Sequence, residues 1–171
     1  TRNYSKSMNV LLSSLMHTNP DVECKVYCFG WEKSLIDSFR NEHDVDFCYV
    51  SVTDQVKLDV RENVRSGEAL KLKVKCINDF LFERSSAALW IDADSLVSGN
   101  LEGVSSKIVT QGFDIICTRR KHRKLHHEAF ALGVLGFSNT EISREFMGDF
   151  NERVSCSEGV EGWFHDQLEF Y

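Results

Sequence analysis

The chain has 171 residues, a formal net charge of −6, and 42% hydrophobic and 27% charged residues. This is the composition of a globular protein, and it excludes disordered, collagenous and coiled-coil chains. The length predicts a single domain over residues 1–171, no apolar run reaches the ~18 residues of a membrane span, and the start lacks the layout of a signal peptide.

Hydrophobic periodicity predicts helices and strands in alternation along the chain. In order, the pattern predicts helix 5–16, strand 24–29, helix 31–43, strand 45–52, helix 70–82, strand 87–91, strand 113–117, strand 130–137 and helix 143–151. The strands are apolar without alternation, which is typical of strands that are buried on both faces of a parallel sheet. We therefore predict a Rossmann-like α/β fold in which helices flank a mainly parallel central sheet.

Two carboxylates, Asp92 and Asp94, follow the apolar strand 87–91 directly. Ligands of such sheets collect at the carboxyl ends of strands, where the chain leaves the core. Two like charges this close repel unless a cation neutralises them, and paired Asp oxygens suit Mg²⁺ or Mn²⁺ better than Zn²⁺. Such a metal commonly bridges a diphosphate. The pattern therefore indicates a metal site, with a turn or a helix cap as the alternative role of the two side chains.

The segment ALWIDADSLVSGNLEGV resembles the DxD region of nucleotide-sugar glycosyltransferases of the GT-A fold, and most closely that of the glycogenin and galactosyltransferase-like family. The first residues, TRNYSKSMNVLLSSL, are similar to the family's first loop and helix, and GWFHDQL near the end is similar to its Asp-Gln segment. The three segments follow the family's order and together span nearly the whole chain. The resemblance implies a GT-A fold and a hexosyltransferase that uses a UDP-sugar donor, Mn²⁺ or Mg²⁺, and a hydroxyl acceptor on a glycan or a protein, with retention of stereochemistry.

The resemblance also implies a role for each site residue. Asp94 would bind the metal, Asp92 would contact the metal or the ribose, and Tyr4 would stack on the uracil ring, where a flat apolar face covers the base. Either Lys73 or Lys75 would reach the donor, with a solvated helix face as the alternative for each. The implied donor-binding residues are Thr1, Asn3, Tyr4, Lys73, Asp92 and Ala93.

The implied catalytic residues are Asp166 and Gln167. Both would face the anomeric carbon, where a carboxylate or amide oxygen can stabilise an oxocarbenium-like centre. Asp166 is also a favoured helix N-cap residue, and the two roles are compatible.

The chain departs from the family at two places. Residues 130–134 read FALGV where the family has Phe-Asn-Ser-Gly-Val, so two side chains that could bind sugar or acceptor are replaced. The family's first strand would precede Thr1, and its last metal ligand, a His, would follow Tyr171. We therefore expect a trimmed catalytic core that lacks a first strand and a C-terminal segment, with an unusually minimal transferase as the alternative.

The segment 118–127, TRRKHRKLHH, holds five Arg or Lys, three His and no acid. Because the rest of the chain is acidic, this distribution differs from that of a nucleic-acid-binding protein, and we expect no nucleic acid as a partner. The segment comes just before the strand at 130–137, beside the expected donor pocket. It predicts contact with phosphates or with an anionic acceptor, and the alternative is a solvated surface loop.

The six cysteines form no C-x-x-C pair and no zinc-binding spacing, and four of them lie in apolar, strand-like runs. They predict reduced thiols, and so a soluble protein of a reducing compartment, with the cytoplasm favoured. Two other functions remain open. One is a nucleotide-sugar-binding module without turnover. The other is a phosphatase of the haloacid dehalogenase type, in which Asp92 would be the nucleophile and Asp94 the acid/base.

Overall fold

A computed structural model of the chain describes residues 2–52, 67–119 and 130–156. It shows a mixed α/β protein, as the sequence predicts. The elements are α1 (Arg2–Thr18), β1 (Lys25–Phe29), α2 (Lys33–Glu42), β2 (Asp46–Val50), α3 (Gly67–Glu83), β3 (Ala88–Ile91), α4 (Glu102–Val109), β4 (Ile115–Arg119), β5 (Phe130–Phe137) and α5 (Glu141–Cys156). None of the described helices combines the length and the apolar content that crossing a bilayer requires.

Helix α4 is the element that the sequence pattern does not predict. It contains Gly103 and two serines, Ser105 and Ser106, which have a low intrinsic tendency to form helices. The helix has only eight residues, and Ile108 is its buried residue. Packing of this side chain, rather than local propensity, therefore stabilises α4.

The described residues fall into two compact units. The first contains α1, β1, α2, β2 and the segment 93–101, and the second contains α3, β3, α4, β4, β5 and α5. In the first unit β1 and β2 pair in parallel, with Val26 opposite Phe47. This direction follows from the connection through α2, which carries the chain back to the start of the neighbouring strand. The buried face of α1 presents Met8, Leu11, Leu12 and Leu15.

The second unit contains an antiparallel sheet in the order β3-β5-β4. Trp90 of β3 and Cys117 of β4 both lie opposite Leu135 of the central strand. One face of this sheet packs against α3 and α5. The buried core of the unit consists of Val74, Ile77, Leu81, Leu132, Leu135, Phe137, Met147, Phe150 and Val154, and Ala88 and Trp90 of β3 pack against it.

The prediction of a mainly parallel central sheet is wrong for the described strands. The β1–β2 pair is parallel, but β5 pairs antiparallel with both β3 and β4. The physical reason lies in the position of β5, which has neighbours on both edges and buries Leu132, Leu135 and Phe137. A central strand that helices cover is apolar whether it runs parallel or antiparallel to its neighbours, so its composition does not determine the direction of pairing.

All six cysteines lie within the described ranges and carry free thiols. Burial raises the pKa of Cys24 to about 11. Burial also raises the pKa of Cys28 to about 12, with a smaller contribution from Cys48 and an opposing one from the Arg40 guanidinium. Both groups are therefore protonated, unreactive thiols at neutral pH.

Candidate functional site

Asp92 lies directly after β3, at the carboxyl end of that strand. Its backbone N–H donates to the Gly133 carbonyl oxygen at 2.8 Å, which continues the β3–β5 pairing one residue beyond the strand. Side chains two residues apart on an extended chain point to the same face. Asp92 therefore projects on the same side as Trp90, toward the face of the sheet that α3 and α5 cover.

The Asp92 carboxylate is held by two neighbours. The indole Nε1–H of Trp90 donates to Asp92 Oδ1 at 2.7 Å. The Lys73 ammonium from α3 lies 3.2 Å from Oδ1 and 3.4 Å from Oδ2. Lys73 also donates to the Leu132 carbonyl oxygen at 2.9 Å, and its Nζ lies 5.9 Å from the centre of a Trp90 ring. We call Lys73, Trp90, Asp92, Gly133 and the Leu132 carbonyl the Asp92 cluster.

Burial differs between the two charged members of the cluster. The Lys73 side chain is 11% exposed, whereas the Asp92 side chain is 36% exposed. A buried ammonium is costly without a counter-charge and hydrogen-bond acceptors, and the Asp92 carboxylate and the Leu132 carbonyl oxygen provide both to Lys73. Because the carboxylate is fixed in direction and still reached by solvent, it can accept an additional ligand such as a divalent cation.

Gly133 leaves space beside one carboxylate oxygen of Asp92. A Cβ atom at this position would lie 3.4 Å from Asp92 Oδ2 and 3.9 Å from Asp92 Cβ. A side chain larger than that of alanine at this position would therefore cover this oxygen. A glycine inside a strand often marks such a close approach of neighbouring groups.

The structure distinguishes the two lysines that the sequence leaves as alternatives. Lys75 is on the exposed side of α3, where it forms an i,i+4 ion pair with Asp79. The hydrogen bond to Asp79 raises the pKa of Lys75. Lys73, two residues earlier, points to the opposite side of the helix and reaches Asp92. Lys73 is therefore the lysine of the Asp92 cluster.

The remaining predicted residues of the described chain are in the first unit. Ala93 and Asp94 form a turn at the start of the segment 93–101, and the Asp94 side chain is exposed. Tyr4 is in the first turn of α1, with 36% of its surface exposed. The helix begins at Arg2, so Tyr4 is part of the helix rather than of a loop that precedes it.

Several predicted residues lie outside the described part of the chain. Thr1, Asp166 and Gln167 do, and so do residues 120–129 of the basic segment. Asn3 belongs to α1, but its side chain is not among those described. The basic segment begins within β4, since Thr118 and Arg119 are the last residues of that strand.

Across the described ranges, no group of three or more His, Cys, Asp or Glu side chains comes together. A metal site made by protein ligands alone is therefore not found there. The site that the sequence predicts has two carboxylates, Asp92 and Asp94, and takes its other ligands from the phosphates of a donor. Oxygen ligands of this kind are those that Mn²⁺ and Mg²⁺ prefer.

Sequence reasoning missed three members of the Asp92 cluster. Trp90 has a recognisable signal, because it precedes Asp92 by two residues on a strand and so shares its face. Gly133 also has a sequence signal, because a glycine inside an apolar strand indicates the close approach of a neighbouring group. The Leu132 carbonyl has no sequence signal, since every residue carries one.

Comparison with models of known protein families finds none that matches this chain, and no curated protein matches it. The functional interpretation therefore depends on the geometry of the site and on the resemblance of its motifs.

Proposed function

We propose that this protein is a metal-dependent glycosyltransferase of the GT-A fold, which transfers a hexose from a UDP-sugar to a hydroxyl acceptor on a glycan or a protein with retention of stereochemistry. The observation that carries the proposal is the Asp92 carboxylate, which Lys73 and Trp90 hold at the carboxyl end of β3 while its side chain stays 36% exposed. It belongs to the DADS sequence that resembles the family's DxD motif.

The geometry of the Asp92 cluster supports this proposal. A divalent cation binds better to a carboxylate that is already oriented, because the orientation then does not have to be established on binding. The ion pair with Lys73 holds the Asp92 carboxylate in place, and the Trp90 N–H fixes the direction of Oδ1. Gly133 places no side chain beside Oδ2.

The other proposed roles follow the resemblance. Asp94 is the second metal ligand, and Mn²⁺ or Mg²⁺ would stabilise the charge that develops on the UDP leaving group. Tyr4 stacks on the uracil ring, and its partial exposure suits that contact. Thr1, Asn3 and Ala93 complete the proposed donor-binding residues, while Asp166 and Gln167 face the anomeric carbon. The six free thiols support a reducing compartment, and the basic segment 118–127 supports an anionic acceptor.

A second candidate, a nucleotide-sugar-binding module without turnover, is favoured by one observation. Leu132 occupies the position where the family has a serine, and its side chain is 2% exposed within the hydrophobic core. It contributes its carbonyl oxygen to Lys73 rather than a side-chain hydroxyl to a sugar. Binding that needs only the metal and the diphosphate would survive this replacement, whereas orientation of the sugar for reaction would not.

Calorimetric titration of the full chain with UDP, with and without Mn²⁺, tests the proposal. We expect binding that requires Mn²⁺ and that Asp94→Ala abolishes. Unchanged UDP affinity of Asp94→Ala in Mn²⁺ would contradict the site assignment. Tight UDP binding without turnover of any sugar nucleotide would favour the binding module. Absence of UDP binding together with hydrolysis of a simple phosphate ester would favour the phosphatase.

A further inference from the structure

The segment 93–101 follows Asp92 and contains Asp94, yet it has no helix or strand of its own. Its backbone is held instead by hydrogen bonds to side chains of α1 and of the residue that follows this helix. Hydrogen bonds at Val97, Gly99 and Leu101 reach two polar side chains, Ser14 in the penultimate turn of α1 and Asn19 just beyond its end. All these residues belong to the first unit.

Ser14 forms the anchor nearest to Asp94. Its Oγ accepts the backbone N–H of Val97 at 3.1 Å and donates to the Leu11 carbonyl oxygen at 2.9 Å. The hydroxyl is therefore oriented by its own helix, with its lone pairs directed at the segment. Val97 itself is 8% exposed, so its side chain packs into the unit at the same point.

Asn19 forms the second anchor, and its amide binds the backbone on both sides of Asn100. Its Oδ1 accepts the Leu101 N–H at 2.8 Å, and its Nδ2 donates to the Gly99 carbonyl oxygen at 3.2 Å. Nδ2 also donates to Thr18 Oγ1 at 2.7 Å, which orients the amide. Because Asn carries one donor group and one acceptor, it satisfies an N–H and a C=O at once.

We propose that Ser14 and Asn19 are positioning residues for Asp94. This inference rests on the proposed function, in which Asp94 binds the metal. Asp94 is three residues before the first anchor, Val97. Ordering an irregular backbone segment costs conformational entropy, so contacts that order the segment before the metal binds raise the affinity of Asp94 for the metal. The adjacent serines Ser13 and Ser14 thus have different roles, and of the two only Ser14 faces the segment 93–101.

Ser13 is the matched control for Ser14. Its side chain is exposed, and its hydroxyl lies 3.5 Å from Oδ1 of Asn9 on the same helix. Ser13→Ala and Ser14→Ala therefore remove the same atom from adjacent positions of α1. Only Ser14→Ala removes a contact with the backbone of Val97.

The experiment measures the affinity of the full chain for Mn²⁺ at saturating UDP, from the electron paramagnetic resonance signal of free Mn²⁺. Amide hydrogen exchange at Val97 and Leu101 is followed in the same variants. We expect Ser14→Ala to weaken Mn²⁺ binding about fivefold or more, as loss of one hydrogen bond allows, and to speed exchange at Val97. Ser13→Ala should change neither, and Ser14→Thr, which keeps the hydroxyl, should restore most of the affinity.

Asn19→Asp is the second variant, and it keeps an acceptor for the Leu101 N–H while it removes the donor to Gly99 and to Thr18 Oγ1. We expect Mn²⁺ affinity between those of the wild type and of Ser14→Ala, with slow exchange at Leu101. Equal Mn²⁺ affinities of Ser13→Ala and Ser14→Ala, despite faster exchange at Val97, would overturn the positioning role and leave the proposed function intact. Failure of the wild type to bind Mn²⁺ and UDP would overturn the proposed function and the positioning role together. If exchange at Val97 were then slow in the wild type and faster in Ser14→Ala, Ser14 would have a structural role only.

Discussion

At the level of single residues, the Asp92 cluster joins a buried cation to a partly exposed anion. The Lys73 ammonium contacts the Asp92 carboxylate and the Leu132 carbonyl oxygen, and its side chain is 11% exposed. Removal of this ammonium takes away the hydrogen bond to the Leu132 carbonyl and leaves Asp92 with the Trp90 N–H and solvent. Lys73 is therefore important to the folded chain whether or not a donor is bound.

Replacement of Lys73 by Met tests this role, and the same replacement at Lys75 is its control. We expect Lys73→Met to lower the free energy of unfolding by about 1–3 kcal/mol, because the Leu132 carbonyl loses its hydrogen bond from Lys73 and Asp92 loses its ion pair. Lys75→Met removes an exposed i,i+4 ion pair and should cost about 0.5 kcal/mol or less. Urea denaturation measures both values. Equal losses in the two variants would show that the Lys73–Asp92 pair is energetically unimportant.

The Lys73 position is one that the sequence allows to be predicted. On α3, Lys73 is three residues after Leu70 and four before Ile77, so it belongs to the buried stripe of the helix. Lys75 is four residues before Asp79, the spacing of an exposed ion pair. The motif does not distinguish the two lysines, whereas their positions on the helix do. The partner of Lys73 could not be predicted, because it depends on the packing of α3 against β3 and β5.

At the level of elements, β5 shows what strand composition does and does not determine. Its apolar run predicts a buried strand, and its observed bounds, Phe130–Phe137, agree with the prediction. Its direction relative to β3 and β4 depends on how the chain connects the strands, and burial alone carries no information about that. The antiparallel pairing nevertheless brings Gly133 beside Asp92, so it contributes directly to the candidate site.

Two glycines of β5 have different roles, and Gly→Ala substitutions separate them. Gly133→Ala places a methyl group 3.4 Å from Asp92 Oδ2. This is an ordinary contact distance, so the free energy of unfolding should change by less than about 1 kcal/mol. Because the methyl group lies beside the carboxylate oxygen, we expect the affinity for Mn²⁺ in the presence of UDP to fall severalfold. Gly136→Ala places a methyl group 2.7 Å from Ile108 Cδ1 of the packed helix α4.

Cδ1 is the far end of the Ile108 side chain, so a rotation of that side chain relieves part of the overlap. Gly136→Ala should therefore lower stability by about 1 kcal/mol, seen as a lower melting temperature, without changing the affinity for Mn²⁺. Thermal denaturation and Mn²⁺ titration of both variants provide the comparison. A Gly133→Ala protein that binds Mn²⁺ and UDP as tightly as the wild type would contradict a metal position on the Gly133 side of Asp92 Oδ2.

At the level of the whole molecule, the buried thiols predict how stability depends on pH. Burial raises the pKa of Cys28 from 9.0 to about 12, so the folded chain keeps this proton at pH values where the unfolded chain loses it. Its contribution to stability is complete below pH 9 and is lost as the pH rises toward 12. The ionisation of this one thiol in the unfolded chain lowers the free energy of unfolding by roughly 1 kcal/mol between pH 8 and pH 10.

Cys28→Ala should therefore show a shallower fall of stability above pH 9 than the wild type. Cys156→Ala, at an exposed position, is the control and should keep the wild-type slope. Urea denaturation in a reducing agent at pH 8, 9 and 10 provides the slopes. Parallel slopes for the wild type and Cys28→Ala would show that Cys28 does not remain protonated through that range in the folded chain.

For the molecule as a whole, the proposed function depends on the DxD carboxylates acting with a UDP-sugar. The direct measurement is release of UDP and free hexose from UDP-hexoses in Mn²⁺, followed by nuclear magnetic resonance for the full chain and for Asp94→Ala. We predict that the wild type releases UDP from at least one UDP-hexose, that a chelator stops the reaction, and that Asp94→Ala is inactive. Release of UDP at the same rate by the wild type and by Asp94→Ala, or no release from any UDP-hexose with hydroxyl acceptors present, would contradict a metal-dependent transferase.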